Sequence, residues 1–178
     1  MDKIYFPQED SYFLAEILNK KISKLLNKNP KIKIIEIGIG SGIQLQKLKE
    51  IGIKNLFGSD INFFAINHCK KLGFNCIKSN LFEKIKGKYD VIVFNPPYLP
   101  EDKNEPLSSQ LATTGGKNGS EIINEFLKQA RNHLVKNGKI FLLTSSLTKK
   151  INWQDYKKKK LAKKKLFFEE LYVWEITS

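Results

Sequence analysis

The sequence predicts an α/β fold: a doubly wound, mostly parallel seven-stranded sheet with helices on both faces and an antiparallel last strand. Three observations predict it. Short Ile- and Val-rich runs alternate with helix-length amphipathic segments. A glycine-rich turn, Gly38-Ile39-Gly40-Ser41-Gly42, joins the first run to the helix behind it. A tail rich in aromatic and β-branched residues, 166–176, reads as two final strands joined near Phe168. The 178 residues suit one domain with one sizeable core, divided into a lead and helix over 1–30 and a core over 31–178.

Residues 1–9 form a short lead containing Tyr5, Pro7 and Glu9. From about Asp10 the apolar positions Leu14, Ile17, Leu18, Ile22, Leu25 and Leu26 recur at three and four, the spacing of a helix with one buried face, and Asn27-Lys28-Asn29-Pro30 ends it. Residues 31–37 concentrate Ile and read as the first strand. After the glycine turn, 43–51 is a second helix, 54–59 a strand ending at Asp60, and 62–72 a helix with Asn62 as N-cap. Residues 75–79 and 89–94 are the third and fourth strands. The stretch 99–119 reads as a long loop with a glycine-rich end, and a loop of that length in a compact domain is usually functional or disordered. Ser120 is expected to cap a helix carrying Ile123, Phe126, Leu127, Ala130 and Leu134, which Gly138 stops; 139–144 is the fifth strand. The lysine-rich approach to the tail suits a strand or a helix.

The balance of 31 Lys+Arg against 18 Asp+Glu gives a net charge of +13, which suits an anionic partner such as a ribonucleoprotein but equally a solvated lysine surface. Cys69 and Cys76, with His68 and His133, do not make a zinc pattern, so no metal site is expected and two buried free thiols are. The N-terminal residues lack the apolar run of a signal peptide, and no run approaches a membrane span, so a cytoplasmic protein is expected.

Chemistry is expected at the strand ends. Asn95-Pro96-Pro97-Tyr98 follows the fourth strand, and its two prolines remove two backbone donors and fix two φ angles. The turn sets an amide oxygen and a carbonyl, two acceptors suited to a substrate NH2 group, beside the flat ring of Tyr98. A lone Asn-Pro pair would do no more than stop a strand. Glu36 and the glycines, Gly38 and Gly40 among them, have the spacing G-x-G-x-G rather than the G-x-G-x-x-G of dinucleotide folds, and the shorter form after an acidic residue is usual for S-adenosylmethionine. Asp60 falls where a carboxylate accepts ribose hydroxyls. Ser79-Asn80-Leu81-Phe82 falls where an adenine ring would lie, Asn80 bonding its edge and Leu81 and Phe82 covering its faces.

In that order and spacing, these motifs resemble the class I S-adenosylmethionine-dependent methyltransferases that act on planar NH2 nitrogens. These include DNA adenine-N6 enzymes and HemK-type glutamine-N5 enzymes. Tyr5-Phe6-Pro7-Gln8-Glu9-Asp10-Ser11 resembles the Y-x-P-x-E-D-[ST] lead of the archaeal and eukaryotic release-factor glutamine methyltransferases, and Gly115-Gly116-Lys117-Asn118-Gly119 resembles their G-G-[RK]-N-G element. The resemblance implies that Ser11, Glu36, Gly38, Asp60, Asn80 and Leu81 contact S-adenosyl-L-methionine and that Asn95 with Pro96 positions the substrate amide. The acceptor it implies is the Gln of the Gly-Gly-Gln loop of a peptide chain release factor, with adenine-N6 or lysine methylation as the alternatives. It also implies a small zinc-binding activator protein as heterodimer partner. The family usually has Asp where this chain has Asn80, which bears on adenine recognition.

Overall fold

Strands that alternate buried side chains to both faces of a sheet need a layer of helices on each side, and the chain supplies both. The computed structural model describes residues 4–178, so the first three residues of the expected lead lie outside the described part. The elements are α1 (Glu9–Leu26), β1 (Lys33–Ile37), α2 (Ile43–Glu50), β2 (Asn55–Asp60), α3 (Phe63–Lys71), β3 (Asn75–Lys78), β4 (Tyr89–Phe94), α4 (Leu107–Thr113), α5 (Glu121–Ala130), β5 (Leu134–Ser145), β6 (Lys157–Lys165) and β7 (Glu170–Thr177). They build one seven-stranded sheet in the order β3-β2-β1-β4-β5-β7-β6. The pairings from β3 through β5 are parallel, and the last strand, β7, runs antiparallel to both β5 and β6.

Neighbouring residues of a strand feed opposite cores. Ile34, Val91, Val93, Phe141 and Leu143 pack with Leu14, Leu18 and Ile22 of α1 and with Leu45 and Leu48 of α2. Ile35, Ile92, Phe94, Ile140 and Leu142 pack on the other side with Ile123, Phe126, Leu127 and Ala130 of α5. The Asn62 carboxamide caps α3 as expected, accepting from the Phe64 backbone N–H at 2.9 Å.

Three local expectations are corrected. The stretch 99–119 contains α4 and closes on itself: the Leu99 N–H donates to the Thr113 carbonyl and the Gly115 N–H to the Leu99 carbonyl, both at 2.9 Å. Glu105 ties the segment from inside by accepting the hydroxyls of Thr113 and Thr114. The Ser120 hydroxyl does not cap α5 but bonds the Lys150 carbonyl. The Glu121 carboxylate instead receives the backbone N–H groups of Asn118 and Ser120 at 3.1 Å. Gly138 does not stop a helix, and Leu134 is not helical: α5 ends at Ala130, a 3-10 turn covers Arg131–His133, and both residues lie in β5. The β4–β5 register shifts between Tyr89 and Val91, Asn137 has φ 64°, and a Cβ on Gly138 would stand 2.7 Å from Leu134 Cγ. The glycine serves a bulge that lengthens the strand backwards. In the tail, Phe167 and Phe168 are exposed while Trp174 is held against the fold. Its ring lies 4.9 Å from that of Trp153 and its indole N–H donates to the Thr144 hydroxyl.

Among the described residues no helix is long and apolar enough to cross a membrane, and no group of three or more His, Cys, Asp or Glu is placed to hold a metal ion. Cys69 and Cys76 are buried free thiols.

Candidate active site

The strand order reverses at β1: the chain travels from β1 outward through β2 to β3, then returns to place β4 on β1's other edge. Ligands of open α/β sheets bind in the crevice at such a reversal, outside the carboxyl ends of the strands. The register brings those ends level, pairing Ile37 with Phe94 and with Ser59, and Asp60 with Lys78. The residues that follow, Gly38, Asn95 and Ser79-Asn80, therefore meet around one mouth together with Asp60. A cleft of about 630 Å³ opens there. Its walls hold Ser11, Glu36, Gly38, Gly40, Asp60, Asn80, Leu81, Asn95, Pro96 and Pro97, so ten of the twelve expected site residues come together. Tyr98 and Phe82 are the other two. Tyr98 does not line the cleft; its ring sits partly buried where the two cores meet.

The glycine segment is shaped for close approach. Gly38 and Gly40 line the cleft with φ of 68° and 48°, a left-handed backbone that favours glycine; a Cβ on Gly38 would stand 3.2 Å from the Phe94 ring and one on Gly40 would touch Tyr5 at 3.8 Å. Asp60 fixes this segment, its Oδ2 accepting the Gly40 N–H at 2.9 Å and its Oδ1 the Asn62 N–H at 2.7 Å. Behind it, Glu36 is buried and its Oε2 has no partner among the described residues. Burial, and then the Asp60 charge, hold the Glu36 carboxyl well above its ordinary value of 4.5; burial raises Asp60 as well, against the pull of the backbone N–H groups of Asn62, Gly40 and Ile61.

A stability prediction follows from Glu36. A group whose pKa is raised by folding contributes stability that is complete below its unfolded value and is lost as pH rises through its folded value. Between those two values the ligand-free chain loses up to ~1.4 kcal/mol per pH unit from this one group. Glu36→Gln removes that dependence. Its melting temperature relative to wild type should rise between pH 5 and pH 8, with about 2–4 °C expected per kcal/mol for a chain of this size. Thermal melts across that range check it, and a difference that does not change with pH contradicts it.

The acceptor side of the cleft contains a contact that the sequence reading did not reach. Asn95 Nδ2 donates to Asp10 Oδ2 at 2.8 Å, across 85 positions of chain. The Asn95 Oδ1 is buried and has no partner among the described residues. Asp10 is 5% exposed, and its Oδ1 accepts from the Ser11 N–H, the Ser11 hydroxyl and the Tyr5 hydroxyl at 2.7, 3.2 and 3.1 Å. Burial first, then the Asp10 charge, push the Tyr5 hydroxyl far up, so it stays a donor. Asp10 stands inside the Y-x-P-x-E-D-[ST] lead, which was the available signal. The glycine element is explained in the same place. A Cβ on Gly115 would meet the Pro97 carbonyl oxygen at 2.6 Å, and one on Gly119 the Tyr98 carbonyl oxygen at 2.3 Å. Bare backbone at 115 and 119 presses on the Pro-Pro-Tyr turn and keeps it from moving.

On the opposite wall Asn80 is exposed and its NH2 group donates to Glu83 at 2.8 Å, while Leu81 adopts φ 44° and lines the cleft. Phe82 is the correction here. It does not cover a ligand but turns into the core, stacked on His133 at 4.7 Å and against Phe126.

The electrostatics of the cleft oppose those of the chain. Five acidic side chains line it (Asp10, Glu36, Asp60, Glu121 and Glu125), burial disfavouring the charged form most at Glu36, and no Lys, Arg or His is among its lining residues, in a protein of net charge +13. An anionic cleft selects a cationic ligand.

Comparison with known proteins agrees. The family described as methyltransferase small domain matches residues 11–165. A protein of Methanocaldococcus jannaschii with the provisional name protein N5-glutamine methyltransferase is 36% identical, over 96% of this chain and 90% of its own. The chain is a methyltransferase of the HemK type. The mouse methyltransferase HEMK2 is 30% identical over 79% of this chain and 71% of its own. The chain spans about half the length of several bacterial relatives, such as the release factor glutamine methyltransferase of Agrobacterium fabrum, at 31% identity over 75% of this chain and 52% of that one. Among solved structures, the ribosomal protein L11 methylase of Lactobacillus delbrueckii superposes with a TM-score of 0.60 over 96% of this chain and 80% of its own. At 16% identity it shows the fold alone.

S-adenosylmethionine is the methyl donor of this HemK-type enzyme, and the cleft fits it. Glu36 offers an unpartnered buried acceptor, the glycine segment offers bare backbone, Asp60 offers a carboxylate at the β2 end, and the whole lining favours a cation.

Proposed function

We propose that this methyltransferase acts on the side-chain amide nitrogen of the Gln in the Gly-Gly-Gln loop of a translation termination factor. The observation that carries the reading is the buried, unpartnered Oδ1 of Asn95, held at the rigid turn where Pro96 adds a second acceptor to the same wall. The names of the relatives support it, two of them being a release factor glutamine methyltransferase and an eRF1 methyltransferase catalytic subunit.

Bound S-adenosylmethionine supplies an electrophilic methyl group. An amide nitrogen is a poor nucleophile because its lone pair is delocalised into the carbonyl, so orientation must do much of the catalysis. Asn95 Oδ1 and the Pro96 carbonyl accept the two N–H bonds and turn the lone pair towards the methyl. As the N–C bond forms and the donor's methyl–sulfur bond breaks, its electron pair staying on sulfur as a neutral thioether, positive charge would grow on nitrogen, and the same two acceptors would stabilise it; the excess proton then leaves to water. In the proposed assignment Ser11, Glu36, Gly38, Gly40, Asp60, Asn80 and Leu81 hold the cofactor, and Tyr98 supports the turn from behind. Lysine fits less well, because an acidic lining without a Lys, Arg or His holds an ammonium protonated and unreactive. Adenine in a duplex must be flipped out of its stack, and the relatives' names point to a protein acceptor.

A small zinc-binding activator is proposed as heterodimer partner. Ile61, Phe63, Phe64, Leu72 and Ile77 are exposed around the edge strand β3, an apolar surface that suits such a partner. Weak, aggregation-prone activity of the isolated chain, restored by co-expression, is expected. Edge strand β6 carries Lys157–Lys160 and Lys163–Lys165, which supports contact with a ribonucleoprotein in the cytoplasm, where termination factors work. Incubating a recombinant termination factor with a deuterated-methyl donor and sequencing its peptides by mass spectrometry tests the main reading. The label is expected on the Gly-Gly-Gln glutamine, and label confined to lysine would overturn it.

A further inference from the structure

A carboxamide has two ends of nearly the same shape and opposite hydrogen-bonding character. Asn95 serves an incoming NH2 group only if its oxygen faces the cleft. With the amide reversed, two donors would confront each other. Nothing in the Pro-Pro turn itself distinguishes the two orientations, so the choice must come from whatever the far end of the amide touches.

That neighbour is Asp10. Its Oδ1 is occupied by three donors, the backbone and hydroxyl of Ser11 and the hydroxyl of Tyr5, which fixes the carboxylate and turns Oδ2 to Asn95. Oδ2 receives Asn95 Nδ2 at 2.8 Å. An ionised carboxylate only accepts, so a reversed Asn95 would set oxygen against oxygen in a buried site, which costs far more than thermal energy. Deep burial of Asp10 keeps water from substituting for either partner. The bond is also charge-assisted. It draws the proton side of the amide towards Asp10 and leaves more electron density on Oδ1, strengthening the acceptor offered to the substrate.

We propose that Asp10 is a positioning residue for transfer: by holding the Asn95 amide in one orientation, it keeps Oδ1 directed at the substrate NH2 group. The inference rests on the reading above only in taking the acceptor to be a planar NH2 nitrogen. A glutamine amide and an adenine amino group both satisfy it.

The variants separate this role from a structural one. In Asp10→Asn the single oxygen is claimed by the donors of Ser11 and Tyr5, so the new NH2 group faces Asn95, recruits its oxygen, and turns its Nδ2 to the substrate. In Asp10→Ala the Asn95 amide is released and still samples the productive orientation. The shape-conserving change should therefore be the worse one, the reverse of what loss of packing would give. At saturating cofactor, kcat on a recombinant Gly-Gly-Gln termination factor is expected to fall on the order of 10²-fold for Asp10→Asn and about 10-fold for Asp10→Ala. KM should change little for either. In an Asn95→Ala background neither change should matter further. Melting temperature and calorimetric cofactor affinity verify each variant's fold. If Asp10→Asn does not fold, the Asp10→Ala and Asn95→Ala cycle still decides. Additive losses, or Asp10→Asn milder than Asp10→Ala, would overturn the proposal. Wild type is assayed in parallel on the factor and on an adenine-containing duplex. Turnover on the duplex alone overturns the glutamine reading while the Asp10 ratios are measured there; turnover on neither, with a zinc-binding activator co-expressed, overturns both.

Discussion

Asn95→Ala is expected to bind S-adenosylmethionine as wild type does and to transfer methyl groups on the order of 10² to 10³ times more slowly, the usual consequence of removing one preorganised partner of a developing charge. The cofactor wall is built by the ends of β1, β2 and β3, whereas Asn95 stands at the end of β4 and spends its NH2 group on Asp10. Its oxygen is therefore left for the substrate. Asn95→Asp should also be slow. It sets a second carboxylate against Asp10 in a site without a Lys, Arg or His among its lining residues, and it adds a charge that binds the cationic donor more tightly in the ground state without helping transfer. Calorimetry together with single-turnover rates checks both halves. Loss of cofactor affinity in Asn95→Ala equal to its loss of rate would move Asn95 to the other side of the cleft.

Asp60→Ala should weaken cofactor binding on the order of 10²-fold, and more than Asn80→Ala does. In the proposed assignment Asp60 offers a charged acceptor to two ribose hydroxyls, each such bond being worth roughly 1.5–3 kcal/mol. It also anchors the glycine segment through the Gly40 N–H, so its removal loosens the bare backbone that faces the ligand. Asn80 is exposed and its NH2 group is already held by Glu83, which leaves its oxygen as its main contribution. Titration calorimetry ranks the three proteins. Equal affinity of wild type and Asp60→Ala would remove the ribose assignment.

Much of this was legible because the signals are local. Strands buried on both faces show as continuous Ile and Val runs, as at 33–37 and 89–94, and the turns that follow them carry the Gly and Pro that only special backbone needs. The strand ends then assemble by topology alone, which is why ten of the twelve expected residues share one cleft. What was not legible depends on distance in the chain. The Asp10–Asn95 bond joins α1 to the end of β4, and no periodicity encodes it. The acidity of the cleft was hidden by an overall charge of the opposite sign. Phe82 was misread because a strand-end aromatic faces a ligand or the core with equal ease, and Phe126 and His133 claim it. The lengthening of β5 back to Leu134 rests on a bulge at Asn137-Gly138, where a glycine reads as readily as a helix stop. Segment 107–113 is too short to show a helical period.

The central claim is that the acceptor is a glutamine amide nitrogen presented to Asn95. Its most direct test is the wild-type methylation rate at saturating cofactor on a termination factor carrying Gly-Gly-Gln, set against the same factor carrying Gly-Gly-Ala. Transfer is predicted to the first, with loss of essentially all of it in the second. Equal transfer to both would contradict the claim.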